Sequence, residues 1–204
     1  AFPQRWDANN AKVRHAKTTA NFQVNMSLDA VAQDSECRHK FVNPRTTLDG
    51  QPRASVVLRR LKTLWFNTGT LCNIACSNCY IESTPTNDRL SYLTLDEVTS
   101  YLDEIQTQEL ATDEIGLTGG EPFMNPDIVS IMQACLSRGF RVLVLTNAMR
   151  PMMRPRIQGA LLDLHKRYGV QLTLRVSVDH FDPKLHEQER GTNTWEPMLK
   201  GLKW

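Results

Sequence analysis

Residues 114–146 read EIGLTGGEPFMNPDIVSIMQACLSRGFRVLVLT, from Glu114 to Thr146, and contain two short apolar strands joined by one amphipathic helix. Glu114 to Thr118 is predicted as a strand that ends in Gly119-Gly120. Asn125 and Pro126 are expected to form the N-cap and first-turn pair of a helix that stops at Gly139. Ile128, Ile131, Met132, Cys135 and Leu136 recur at helical spacing and should face inward. Phe140 to Thr146 (FRVLVLT) is almost continuously apolar, as expected of a strand covered on both faces. Strand, helix and strand at this spacing predict a right-handed βαβ unit in a parallel sheet.

The same alternation extends on both sides. Leu61 to Asn67 (LKTLWFN) reads as an earlier strand. Thr94-Leu95-Asp96-Glu97 is a capping box, and it opens a helix with Leu95, Val98, Leu102 and Ile105 on one face. A third helix is expected from about Arg156 to Tyr168, with Ile157, Leu161 and Leu164 inward and Gly169 beyond it. Val170 to Val178 reads as the fourth strand, and Thr194 opens a last helix. Strands two, three and four recur at about 30 residues, the interval of βαβ units. The expected fold class is therefore α/β with a parallel sheet, and a parallel barrel would place its chemistry on the loops after the carboxyl ends of the strands. Residues 61–204 form this core. Residues 1–60 are polar, with prolines at 3, 44 and 52 and no sustained period, and read as an N-terminal extension of uncertain order. A start at Ala1 and a stop inside the last helix predict a fragment of a longer protein.

Composition narrows the function classes. The formal charge is +2, from 24 basic and 22 acidic residues, which gives no reason to expect nucleic acid as a partner. No run approaches the roughly 18 apolar residues of a membrane span, and the first residues lack the apolar core of a secretory signal. A soluble, cytoplasmic chain with no membrane partner is expected. Five cysteines, three of them in one loop, argue for reduced thiols and against a disulfide framework.

That loop is Cys72-Asn-Ile-Ala-Cys76-Ser-Asn-Cys79-Tyr80. Three thiolates are one short of a closed structural zinc site, and three-ligand sites keep a position open. Soft thiolates suit zinc, Cu(I) or an iron–sulfur cluster, and a four-iron cubane held by three cysteines would leave one iron free. None of His15, His39, His165, His180 or His186 lies within ordinary ligand spacing, so a zinc knuckle would need Cys37 to return to the site. Cys135 belongs to the apolar helix face and reads as core. Gly119-Gly120 ends the second strand, where glycines form a turn or admit a close approach of backbone. Thr146-Asn147 ends the third strand. Beyond the fourth, Ser177 and Asp179 share one face by period 2.

The spacing CxxxCxxC followed by an aromatic resembles the radical S-adenosylmethionine (SAM) superfamily, and the other strand ends agree with it in order. Thr118-Gly119-Gly120-Glu121-Pro122 resembles that family's GGEP motif, Thr146-Asn147-Ala148 its Thr-Asn-Gly, and Ser177-Val178-Asp179-His180 its Ser-x-Asp-Gly. His186 to Gly191 (HEQERG) is similar to its His-Asp-x-x-Arg-Gly with one residue inserted. The resemblance implies a partial (β/α)6 TIM-like barrel, of which about four βα units are present, and a [4Fe-4S] cluster held by Cys72, Cys76 and Cys79. It implies SAM binding by the backbone of Tyr80, by Gly119, Gly120 and Glu121, by Thr146 and Asn147, by Ser177 and Asp179, and by Arg190 at the SAM carboxylate. The implied reaction is reductive cleavage of SAM to a 5′-deoxyadenosyl radical that abstracts hydrogen from an organic or peptide substrate. A low-potential electron donor such as flavodoxin or ferredoxin is the implied partner, with a small molecule or peptide as substrate. The pattern leans toward the branch of molybdenum-cofactor synthesis and peptide-maturing enzymes. A non-catalytic iron–sulfur or zinc-binding module, and a SAM-dependent radical methyltransferase, are the alternatives.

Overall fold

A computed structural model describes residues 43–204. Residues 1–42, with Cys37, His15, His39 and most of the expected N-terminal extension, lie outside the described residues. The chain divides into two compact units, Ala1–Val57 and Leu58–Trp204. The described part of the first is a turn: Asn43 Oδ1 accepts the N–H groups of Arg45 and Thr46, and Thr46 pairs with Pro52 in an antiparallel bridge.

The second unit is built on a four-stranded parallel sheet in the order β1-β2-β3-β4. The strands are β1 (Thr63–Asn67), β2 (Glu114–Thr118), β3 (Arg141–Thr146) and β4 (Leu172–Val176). The connecting helices are α1 (Leu95–Thr107), α2 (Ile128–Ser137) and α3 (Pro155–Tyr168), followed by α4 (Pro183–Arg190) and α5 (Trp195–Lys203). Register aligns Leu64, Ile115, Val142 and Leu172 in one row, and Phe66, Leu117, Val144 and Leu174 in the next row on the same face. Both rows pack in one core with Val98, Leu102 and Ile105 of α1, Ile131 and Cys135 of α2, and Ile157, Leu161 and Leu164 of α3. Strands in sequential order with their helices on one face describe the wall of a βα-barrel, since a doubly wound sheet must reverse direction and place helices on both faces. The opposite face carries Trp65, Gly116 and Leu143 in register, and a side chain at Gly116 would collide with the Trp65 ring.

Local chemistry accounts for most boundaries. The capping box at α1 forms, with Glu97 N–H donating to Thr94 Oγ1 at 3.3 Å and Thr94 N–H to Glu97 Oε2 at 2.9 Å. Two expectations are corrected. First, Asn125 does not cap α2. It ends a 3-10 turn over Pro122–Met124, accepts the N–H of Asp127 at 2.7 Å, and donates its amide to the carbonyls of Thr68 and Leu93, so the helix begins at Ile128. Second, β4 is shorter than Val170 to Val178 because Gly169–Gln171 makes a 3-10 turn, which leaves Val170 exposed. The stretch holding His186 and Arg190, given no element by the sequence reading, is a helix, α4, with Asp182 Oδ1 accepting the N–H groups of Lys184 and Leu185 and Pro183 at its first turn. None of the described helices is long and apolar enough to cross a membrane.

Candidate active site

The loops at the carboxyl ends of the four strands are laced together by hydrogen bonds. Those after β1 and β2 run side by side: Thr68 N–H donates to Thr118 O (2.7 Å), Gly120 N–H to Gly69 O (2.8 Å) and Glu121 N–H to Leu71 O (3.0 Å). This explains both glycines. A Cβ on Gly120 would overlap the Leu71 carbonyl, and one on Gly119, whose φ is 144°, would sit 2.7 Å from Gly69 O. Their first role is to let the cysteine loop's backbone approach, before any ligand is considered.

Glu121 then joins β2 to β3. It is fully buried, with Oε1 accepting from Thr146 Oγ1 (2.8 Å) and Phe123 N–H (3.1 Å), and Oε2 from Asn147 N–H (2.8 Å). Burial pushes this carboxyl up to about 7, against the downward pull of its three donors. Asn147 continues the chain to the cysteine loop, donating to Asn73 Oδ1 at 2.9 Å and to Cys72 Sγ at 3.8 Å. β4 is tied in by Ser177 N–H on Thr146 O at 3.0 Å.

The cysteine loop closes on itself, because Thr84 returns to pair with Leu71 and accepts the Cys72 N–H at 3.1 Å. α4 latches its far side. Ser77 donates its N–H to Glu189 O (2.8 Å) and its hydroxyl to Glu189 Oε2 (2.7 Å). The neighbouring Arg190 forms a bidentate pair with Asp179, Nε to Oδ2 at 2.5 Å and Nη2 to Oδ1 at 3.2 Å.

An open cavity of about 260 Å³ results, lined by Cys72, Cys76, Cys79, Tyr80, Gly119, Gly120, Thr146, Asn147, Ser177, Asp179 and Arg190. Every sequence-predicted site residue is in that lining except Glu121, which is buried behind it. The Tyr80 ring is 82% exposed, so it does not pack on the core. His180 is spent locally, with Nδ1 accepting the Asp182 N–H and its ring stacked on Phe181. Cys135 is buried among α2's apolar residues.

The four described cysteines are all free thiols. Burial pushes Cys72 up to about 11, with the Ile74 N–H pulling down and Glu121 adding to the rise; burial also raises Cys76, opposed chiefly by Arg190. A cation bound by these sulfurs would reverse that balance, since coordination deprotonates a thiol. Among the described residues no three His, Cys, Asp or Glu side chains converge on a point where one metal ion could be held. The three thiols line one cavity.

Sequence reasoning missed Ser77, Ser83, Glu189 and the interior placement of His186. His186 is completely buried edge-on to Trp195 (5.3 Å), and neither ring nitrogen has a partner among the described residues. Asp182-Pro183 was a readable signal for the helix carrying two of these residues. No local signal marks the pairing of Ser77 with Glu189, 112 residues apart.

Comparison with known proteins bears on the whole barrel segment. The family model described as the Radical SAM superfamily matches residues 66–204. A GTP 3′,8-cyclase of Haemophilus influenzae (strain PittEE) is 32% identical over 133 residues, covering 64% of this chain and 37% of its own. The antilisterial bacteriocin subtilosin biosynthesis protein AlbA of Bacillus subtilis (strain 168) is 30% identical over 120 residues, covering 59% of this chain and 25% of its own. Among solved structures, Streptococcus suis SuiB bound to S-adenosylmethionine superposes with a TM-score of 0.55 at 18% identity, covering 71% of this chain and 31% of that one. The chain thus spans well under half the length of these proteins.

Proposed function

Because this chain belongs to the radical SAM superfamily, whose members use a [4Fe-4S] cluster and SAM, we propose that its carboxyl-rim cavity holds both and carries out radical hydrogen abstraction on an organic or peptide substrate. The observation that carries the proposal is the convergence of eleven of the twelve sequence-predicted residues on one cavity, with the twelfth, Glu121, buried behind it.

When bound, the cluster supplies the electron that cleaves SAM to methionine and a 5′-deoxyadenosyl radical, which takes a hydrogen atom from the substrate. The chain's own residues hold and orient. Cys72, Cys76 and Cys79 ligate the cluster. The backbone of Gly119 and Gly120, held rigid against residues 69–71, receives the SAM amino group. Glu121 fixes Thr146 and Asn147 relative to that backbone, so two sides of the ligand are aligned through one buried carboxylate. Arg190 keeps its Nη1 donors free of the Asp179 pair, leaving a fixed cation for the SAM carboxylate. Ser177 faces the ribose or carboxylate, and the Tyr80 backbone the adenine. A low-potential donor such as flavodoxin or ferredoxin delivers the electron in the cytoplasm.

Anaerobic reconstitution with iron and sulfide should give about four irons per chain. Addition of SAM and a strong reductant should then yield 5′-deoxyadenosine. Stoichiometric zinc retained in preference to iron, with no response to SAM, would sink the proposal in favour of a zinc-binding module.

A further inference from the structure

Ser83 stands four residues beyond Cys79, where the cysteine loop turns back for Thr84 to pair with Leu71. It is 3% exposed and borders the cavity beside Cys79. Its two donors fare differently. The backbone N–H points at Cys79 Sγ, 3.2 Å away. The hydroxyl, fully buried, has no hydrogen-bond partner among the described residues. A buried hydroxyl left without a partner forfeits its hydration for nothing, and three buried rim hydroxyls avoid that cost: those of Thr68, Thr70 and Thr146 all donate to oxygen. Ser83 lines the cavity together with Cys72, Cys76 and Cys79.

Resting on the cluster reading above, we propose that Ser83 is a positioning and tuning residue for the Cys79 corner of the cluster, donating both N–H and O–H to sulfur there and raising the cluster's reduction potential. Reduction places added negative charge partly on the sulfurs, so a donor held against them favours the reduced form. The corners would then differ by design. Cys72 meets the Asn147 amide at the longer distance of 3.8 Å, and Cys76 has the Arg190 cation as its counter-charge. Cys79 alone would carry a paired backbone and side-chain donor from one residue.

The test compares the wild-type chain with Ser83→Ala and Ser83→Thr after anaerobic reconstitution, reading iron content and the midpoint potential by EPR-monitored redox titration. The proposal expects Ser83→Ala to keep its iron and shift to a lower potential, and Ser83→Thr, which retains a hydroxyl, to stand near the wild type. A full cluster at the wild-type potential in Ser83→Ala overturns it. Should Ser83→Ala lose its iron, retention by Ser83→Thr at the wild-type potential supports the hydroxyl, and loss from both variants assigns Ser83 to packing and overturns the proposal. Iron content also separates the two readings. A wild-type chain that takes up no iron removes the cluster reading and this proposal with it, whereas an intact cluster indifferent to the hydroxyl removes this proposal alone.

Discussion

The body of the sheet and its carboxyl rim lie one or two residues apart along each strand, and they are buried by opposite rules. In the body, Ile115, Leu117, Val142 and Val144 meet α1, α2 and α3 through apolar surface alone. At the rim, Thr68, Thr70, Glu121, Asn125, Thr146 and Asn147 are just as buried, yet each has its hydrogen bonds. Apolar burial is non-directional and tolerates small adjustments, so it sets how stable the fold is. Buried hydrogen bonds demand particular distances and angles, so they set where loop atoms stand. A cofactor site needs the second property, and the first layer provides the platform for it.

The sharpest test of this contrast uses one residue type in both layers. Replacing Cys72, Cys76 or Cys79 by Ala is expected to abolish iron uptake on anaerobic reconstitution, while Cys135→Ala, in the helix core, retains it. Iron analysis of the four variants decides the point, and a cluster that survives loss of Cys76 would break the comparison. Next in size is a change to the body. Leu102→Ala should cost about 2–5 kcal/mol in urea unfolding, because a fully buried α1 side chain leaves a cavity that the sheet cannot fill.

Glu121 gives a third, pH-dependent effect that the body cannot show. Its carboxyl is raised from 4.5 to about 7, so between those values the folded chain keeps a proton that the unfolded chain has released. Its contribution is therefore fully present below pH 4.5 and is lost as pH rises through about 7. The slope for one proton is at most about 1.4 kcal/mol per pH unit. Urea unfolding of wild type and Glu121→Gln at a series of pH values should show the difference between them changing across that window. A difference that stays flat would mean the three donors hold the carboxylate ionised throughout. The smallest effect is expected at Ala148, a non-glycine residue with φ of 57°. Ala148→Gly relieves about 1–2 kcal/mol of left-handed strain but frees the unfolded chain by about 0.4–1 kcal/mol. The difference, a net gain of at most about 1.6 kcal/mol before the packing of this buried methyl is subtracted, should appear as a higher urea midpoint at constant slope.

The strands and helices were legible because their signals are local. β2 runs over Glu114–Thr118 as read, and α1 opens at its capping box. The failures were local signals overruled by distant partners. Asn125 resembles a helix cap, but its amide is drawn to the carbonyls of Thr68 and Leu93, 57 and 32 residues away. Gly119 and Gly120 read as glycines that form a turn or admit a close approach of backbone, and the position of residues 69–71 shows which backbone they admit.

Spacing and periodicity, which depend only on chain geometry, determined by themselves that this protein is an α/β chain with parallel strands, and that three thiols and three further strand-end motifs belong to the carboxyl end of the sheet. Only the tertiary structure decided how those ends are held. Glu121 bridging β2 to β3 and Ser77 latched to Glu189 are relations across folded distance. A hydrogen bond between residues 112 positions apart leaves no trace in either residue's neighbourhood, because its energy depends on an approach that only the packed sheet creates.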